Sequence, residues 1–151
     1  MKYSTSIEIN LPREKVINAF DNQANNSKWM EGLESAEVLS GTPNQEGAKT
    51  RLNFNMGKRK IEMIETVKDR NLPDSITMTY QAQGVFNIVK NKFIAVDNHK
   101  TRYETENEFQ FKGFMKLVGL LMPGSFKKQS IKYLNDFKNF VETAETDLHE
   151  S

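Results

Sequence analysis

Apolar and polar residues alternate along most of the chain, first over residues 2–10 and then over residues 33–112. The clearest stretch places Tyr103, Phe109 and Phe111 on one face and only charged or amide residues on the other. A period of two residues is typical of strands that bury one face. The pattern therefore predicts one strand near the N-terminus and a series of strands through the middle of the chain.

Residues that favour turns divide the middle of the chain into six strands. Gly, Pro, Asn and Asp cluster at residues 41–47, 57–58, 71–74, 84 and 97–100. The segment 85–97 changes phase along its length, so we expect a β-bulge near residues 90–92. With the N-terminal strand, the sheet would have seven strands.

Apolar residues recur at helical spacing in two other regions. Pro12 suits a helix N-terminus, and the apolar residues from Val16 to Phe20 mark a short amphipathic helix. A second short helix or turn is expected to carry Trp29. The long apolar stripe near the C-terminus consists of Phe126, Ser130, Tyr133, Leu134, Phe137 and Val141. It predicts a helix over at least residues 126–141, with an irregular start or a separate short helix before Pro123-Gly124, and a polar tail at residues 143–151.

This order of elements restricts the architecture. Strands joined by short turns pair antiparallel, and the apolar face of the sheet must be covered. The long helix must also bury its stripe, and the simplest solution is a sheet that curls around the helix. The sequence therefore predicts a single α+β domain over residues 2–142, with a curved seven-stranded antiparallel sheet, two short helices and a long C-terminal helix.

Composition and charge narrow the classes of function. The 21 basic and 20 acidic residues leave a net charge of +1, which gives no general attraction to nucleic acid or to an anionic membrane, although local patches stay open. The chain has no cysteine, so thiolate chemistry and cysteine-based metal sites are excluded. Residues 1–10 lack the apolar core of a signal peptide. Residues 114–122, the most apolar run, fall far short of the ~20 residues that span a bilayer. We expect a cytoplasmic protein with no stable membrane insertion, no nucleic-acid partner and no cofactor.

Several short motifs occur in an order that resembles a known superfamily. They are the strand-to-helix entry Ile9–Val16, Trp29 after the second short helix, Gly47 in a turn, the turn Asn98–Thr101, and Leu134, Lys138 and Glu142 in the last helix. In this order they resemble the START-like or SRPBCC helix-grip superfamily, which includes the birch-pollen-allergen-like fold. The chain most resembles its bacterial polyketide cyclase/dehydrase branch, and the resemblance spans residues 2–142.

This resemblance implies a helix-grip fold with a cavity between the sheet and the last helix. Such cavities hold lipids, sterols, polyketides, hormones or other apolar molecules. Some members of the superfamily are enzymes, whereas others bind, transport or sense, and the fold alone does not decide among these activities. We expect the mouth of the cavity at residues 113–124, where Pro123-Gly124 interrupts the helical pattern.

A set of apolar and aromatic residues is predicted to face inward and to bind the ligand. The set consists of Leu52, Phe54, Met63, Met78, Tyr80, Tyr103, Phe109, Phe114 and Leu121. These side chains either line an apolar pocket, with methionines as adaptable walls, or simply fill the core. Both interpretations stay open on the sequence alone.

Polar residues on the predicted inner face are candidates for binding or acid/base chemistry. Glu65 shares a face with Met63 and Val67, so it is either buried with a raised pKa or turned to solvent by a strand end or bulge. Inward polar groups that could bond a ligand or each other are Tyr80, Tyr103, Asn87, Asn91, Thr105 and Asn107. His99 and His149 have no partner at metal-ligand spacing, so no metal site is predicted, and no catalytic residue is assigned.

Three functions follow from these observations. The leading hypothesis is a protein that binds or carries a hydrophobic, lipid- or polyketide-like molecule. The alternative is a cyclase, aromatase or dehydratase that uses the same cavity, with Glu65 and Tyr80 or Tyr103 as its candidate acid/base groups. A third hypothesis is a protein-interaction module, which would need an exposed apolar patch that the alternating strands do not indicate. The ligand and the oligomeric state are not defined by the sequence.

Overall fold

The computed structural model describes residues 1–150 and the side chains of residues 1–145. The strands within these residues are β1 (Lys2–Ile9), β2 (Leu33–Ser40), β3 (Lys49–Met56), β4 (Arg59–Asn71), β5 (Ser75–Ala82), β6 (Val85–Asp97) and β7 (Lys100–Phe111). The helices are α1 (Arg13–Asp21), α2 (Asn26–Trp29), α3 (Phe114–Leu121) and α4 (Pro123–Glu150), and a 3-10 turn, Gln23–Asn25, joins α1 to α2.

The seven strands form one antiparallel sheet in the order β1-β7-β6-β5-β4-β3-β2. Strands β2 to β7 follow one another as neighbours, and β1 pairs with β7, where Thr5 lies opposite Thr105. The sheet curves around α4, so the predicted helix-grip architecture is confirmed. The prediction of a bulge near residues 90–92 was wrong. Pairing of β6 with β7 is continuous there and becomes irregular between Ala95 and Asp97.

Local signals set the boundaries of the helices. The carbonyl of Pro12 accepts backbone hydrogen bonds from Lys15 and Val16, which starts α1. Gly113 has a positive φ of 61° and separates β7 from α3. The C-terminal helical region is two helices, as one of the predicted alternatives had it, and α4 begins at Pro123, a residue suited to the first helical position. The backbone of α4 continues to Glu150, further than the predicted minimum.

The core lies between the inner face of the sheet and α4. Phe137 is 0% exposed and, with Leu134 and Val141, belongs to one cluster that includes Phe93 and Tyr103 of the sheet. Its ring lies 5.6 Å from the Tyr103 ring in an edge-to-face arrangement, which aromatic quadrupoles favour. The predicted stripe of the last helix therefore faces the sheet.

The two edge strands are covered differently. Strand β1 lies beside α4, and the Lys138 ammonium donates a hydrogen bond to the Glu8 carbonyl at 2.6 Å. Strand β2 is largely exposed beyond Leu33, and its pairing with β3 shifts register near both ends. One edge of the sheet is thus partly covered by a helix and the other is irregular.

We predict that Phe137→Ala lowers the free energy of unfolding by ~3–5 kcal/mol, the usual cost of deleting a buried phenylalanine ring. Denaturant melts of the wild type and variant measure this loss. Asn139→Ala, at an exposed position two residues further along α4, is the matched control and should change stability little. A loss under ~1 kcal/mol for Phe137→Ala would contradict the packing of this stripe on the sheet.

Candidate functional site

Four polar side chains lie side by side across the inner face of the sheet. The strand registers place Thr50 opposite Glu65, Glu65 opposite Tyr80, and Tyr80 opposite Asn87. Side chains of directly opposed residues point to the same face of an antiparallel sheet. Strands β3 to β6 therefore build one continuous polar row beneath the helix, at positions where a simple core would carry apolar groups.

Glu65 and Tyr80 form a hydrogen-bonded pair at the centre of this row. Glu65 is 5% exposed, so the alternative that it turns to solvent is wrong. Burial raises the pKa of the Glu65 carboxyl to about 6, although the hydrogen bond from Tyr80 opposes the shift. Burial also raises the pKa of Tyr80 well above its ordinary value, and the negative charge of Glu65 adds to this. Glu65 can consequently accept or release a proton near neutral pH, while Tyr80 stays a neutral donor.

Tyr103 has a structural partner for its hydroxyl. The hydroxyl donates to Asn91 Oδ1 at 2.6 Å, and Asn91 Nδ2 donates to the Ile76 carbonyl at 3.2 Å. Burial raises the pKa of Tyr103, and its ring packs 4.9 Å from that of Phe93. These contacts satisfy the hydroxyl within the core. Of the two tyrosines considered for acid/base chemistry, Tyr80 is thus the one paired with Glu65.

A second polar cluster joins the other side of the sheet to α4. Thr5 and Thr105 share a hydrogen bond of 2.6 Å, and Asn107 Nδ2 donates to Thr105 Oγ1 at 2.8 Å. Nearby on β1, the Tyr3 hydroxyl lies 2.6 Å from Ser130 Oγ and donates to the Phe126 carbonyl at 3.0 Å. Because Thr5, Thr105 and Asn107 bond one another and Tyr3 bonds α4, these side chains contribute to structure rather than offering donors to a ligand.

Two aromatic residues bound the site on the side of the helices. Trp29, at the end of α2, lies edge-to-face with Tyr133 of α4 at 6.4 Å and with Phe137 at 5.1 Å. Tyr133 also contributes to the raised pKa of Tyr80, so the two hydroxyls lie within electrostatic range of each other. Among the described residues, no group accepts a hydrogen bond from the buried indole Nε1 of Trp29. An unpaired buried donor is costly, so the indole N–H would gain from a hydrogen-bond acceptor.

Seven of the nine predicted ligand-binding residues are buried or partly buried. Buried residues are Leu52, Phe54, Met78 and Tyr103, and partly buried residues are Met63, Tyr80 and Phe109. Phe109 packs with Phe111 and Phe126, at ring distances of 5.8 and 5.0 Å. Contact of any of these residues with a ligand stays a prediction.

Phe114 and Leu121 are not inward-facing, and this expectation was wrong. They are 76% and 69% exposed. The inner face of α3 is instead formed around Met115 and Gly119. A Cβ atom added at Gly119 would lie 2.6 Å from the Phe111 ring, so only glycine permits this close approach. Helical spacing identified the apolar residues of α3 but did not indicate which face packs.

The described residues offer neither a metal site nor a membrane-spanning helix. No group of three or more His, Asp or Glu side chains in that part of the chain is placed to hold a metal ion. His99 is exposed in the turn between β6 and β7, and the side chain of His149 lies outside the described residues. None of the described helices is both long and apolar enough to cross a membrane.

Comparison with known proteins shows the family to which the chain belongs. A family profile described as "Polyketide cyclase / dehydrase and lipid transport" matches residues 1–142. The chain belongs to this family, which confirms the resemblance inferred from its motifs. No curated protein matches the sequence.

Solved structures share the fold at low sequence identity. The Zhui aromatase/cyclase from a Streptomyces species superposes with a TM-score of 0.79 at 11% identity, covering 94% of this chain and 93% of its own. A conserved protein from Geobacillus kaustophilus gives 0.78 at 16% identity, covering 95% and 97%. Norcoclaurine synthase from Thalictrum flavum, in complex with dopamine and hydroxybenzaldehyde, gives 0.70 at 12% identity, covering 95% and 87%. These similarities establish the fold, whereas ligand and reaction depend on the site.

We predict that Glu65 makes stability depend on pH. Its pKa in the folded protein, about 6, lies above the ordinary value of 4.5, so the folded state binds this proton more tightly than the unfolded state. The resulting stabilisation is full below about pH 4.5 and is lost as the pH rises through about 6. Its size is about 2 kcal/mol.

The measurement compares unfolding free energies of wild type and Glu65→Gln at about pH 4 and about pH 7.5. The difference between the two proteins should change by about 2 kcal/mol over this range, because other carboxyl groups cancel. Glu62→Gln, which replaces an exposed carboxylate on the same strand, should follow the wild type. Identical pH dependence of wild type and Glu65→Gln would contradict the buried, proton-binding carboxyl.

Proposed function

We propose that this protein binds a hydrophobic small molecule that carries a polar group, in the space between the sheet and α4. The family covers lipid transport and polyketide cyclase/dehydrase activity, and both involve largely apolar molecules. The observation that carries the proposal is the buried Glu65–Tyr80 pair, set in an otherwise largely apolar interior. A polar group of the ligand would meet this pair, and its apolar body would contact the surrounding side chains.

The energetics of the pair favour a binding role. Burying a carboxyl group costs free energy unless it gains compensating bonds, and Tyr80 supplies one. With a pKa of about 6, Glu65 presents an acceptor when ionised and a donor when protonated. The buried Trp29 indole N–H, which has no partner among the described residues, would add a donor. A hydroxyl or carbonyl group on the ligand would satisfy these groups.

The apolar side of the site suits a ligand of variable shape. Met63 lies two residues from Glu65 on the same face of β4 and pairs with Leu52 of β3. Met78 is buried on the next strand. Methionine is flexible and polarisable, so it adapts to different apolar surfaces. These residues are the proposed walls around the polar pair.

The first experiment measures binding directly. Native mass spectrometry of gently purified protein should detect a co-purified apolar molecule. Nile red, a neutral apolar dye, should bind with micromolar affinity, equivalent to about 8 kcal/mol, and fluoresce in the apolar environment. We predict that Met63→Trp weakens dye binding at least about tenfold, because the larger side chain fills the proposed space.

The control is Ile64→Trp, which places the same indole on the opposite face of the same strand. It should leave the dye affinity unchanged, provided that circular dichroism shows both variants folded. If Nile red does not bind the folded wild type, or if both variants bind it equally, the interior contains no such site and the proposal is wrong.

The alternative function is catalysis on a β-dicarbonyl or polyketide-like substrate in the same space. The specific observation in its favour is a carboxyl pKa of about 6, which suits general acid/base catalysis near neutral pH. Ionised Glu65 would take a proton from the carbon between two carbonyl groups, and the electron pair would move onto a carbonyl oxygen. Once Glu65 is neutral, the Tyr80 hydroxyl is released to donate a hydrogen bond to that enolate oxygen.

A β-ketoacyl thioester in deuterated water tests this alternative, because proton abstraction replaces hydrogen by deuterium at the acidic carbon. Catalysed exchange followed by nuclear magnetic resonance should rise with pH through about 6. Glu65→Gln should slow it by about 10²–10⁴-fold. Glu62→Gln should not. Exchange that is no faster than without protein would reject the catalytic alternative and leave the binding proposal standing.

A further inference from the structure

Helix α3 is apolar on both of its faces, although only one face is packed. The inner face carries Met115, whose side chain approaches Gly84, and Gly119, which lies against the Phe111 ring. A helix that is apolar all round is normally buried on all sides. In α3 the second face has no covering element among the described residues.

The outer face of α3 forms a continuous apolar surface. Phe114 and Leu120 are 76% and 78% exposed. The complete surface, called here the α3 patch, consists of Phe114, Leu117, Leu120, Leu121 and Met122. Because residues three and four apart in a helix are neighbours, these side chains lie together rather than singly. The third hypothesis from the sequence required such a patch, and the alternation of the strands gave no sign of it.

The charged residues nearest the α3 patch in the sequence are all positive. No acidic residue occurs in the sequence between Glu108 and Asp136. Four exposed lysines lie near the patch, namely Lys112, Lys116, Lys127 and Lys128. None of them forms an ion pair within the described part of the chain, and Lys116 precedes Leu120 by one helical turn. The local charge therefore differs from the near-neutral balance of the whole protein.

We propose that α3 docks on the surface of an anionic lipid bilayer. Apolar side chains with a rim of lysines match the boundary between acyl chains and negatively charged headgroups. The apolar side chains would enter the acyl region, and the lysines would be attracted to the headgroups. A second copy of this chain fits less well, because the lysine rims of two facing patches would repel each other. Docking would hold α4, which follows α3 after one residue, beside the apolar molecules of the bilayer. The docking inference does not depend on which molecule the interior binds.

Vesicle co-sedimentation tests the proposal with phosphatidylcholine alone and with added phosphatidylglycerol. The wild type should bind the anionic vesicles more strongly, and added salt should weaken that binding. We predict that Leu120→Asp lowers the partition coefficient at least about tenfold, because a large exposed apolar side chain is replaced by a negative charge. Lys116→Glu should lower it by about fivefold or more on anionic vesicles and have little effect on neutral ones.

Val96→Asp is the matched control, since Val96 is also an exposed apolar residue. Helix α3 approaches Gly84, just before the start of β6, whereas Val96 lies near the end of that strand. It should bind vesicles like the wild type. Nile red binding by Leu120→Asp should also be unchanged, which separates docking from the interior site. The proposal is overturned if the wild type ignores anionic vesicles, if Val96→Asp and Leu120→Asp lose binding equally, or if the wild type self-associates in solution through a contact that Leu120→Asp abolishes.

Discussion

The packing of Phe137 against the aromatic rings around it is the interaction on which the other parts of the structure depend. The ring contacts Phe20 of α1, Trp29 of α2 and Tyr103 of β7, at centroid distances of 6.0, 5.1 and 5.6 Å. One side chain of α4 therefore joins both short helices to the inner face of the sheet. This single contact helps to set how closely the long helix approaches the inner face of the sheet.

Hydrogen bonds between side chains explain why polar groups are tolerated in the interior. Interior polar side chains bond each other in small sets, such as Tyr103 with Asn91 and Thr5 with Thr105. The Glu65–Tyr80 pair differs because a carboxyl group retains further bonding capacity after accepting one hydroxyl. Two polar sets thus contribute to structure, and the third has the capacity for chemistry. Burial does not distinguish these sets, whereas the number of polar groups that already have a hydrogen-bond partner does.

The sequence predicted the sheet well because most strands bury one face, and alternation reports this directly. The same alternation placed Glu65 and Tyr80 on the inner face. Their pairing could not be predicted, since it depends on the register of β4 with β5, which shifts between Val67 and Asp69. The packed face of α3 was also beyond sequence reasoning, because both faces are apolar and the choice is made by the small space that Gly119 leaves for Phe111. The bulge in β6 was misplaced because polar residues such as Asn91 occupy inner positions and disturb the hydropathy phase.

The irregular pairing of β2 has a consequence for how this protein behaves among other chains. A long, straight edge strand presents a regular ladder of amide and carbonyl groups on which a foreign strand can assemble. In β2 the register shifts near both ends interrupt that ladder, even though Val38 and Leu39 are exposed and would otherwise favour such growth. The opposite edge is protected by the contact of Lys138 with the Glu8 carbonyl. An open sheet that grips a helix must end in two free edges. Here the register shifts of β2 and the Lys138 side chain disfavour amyloid-like extension from them.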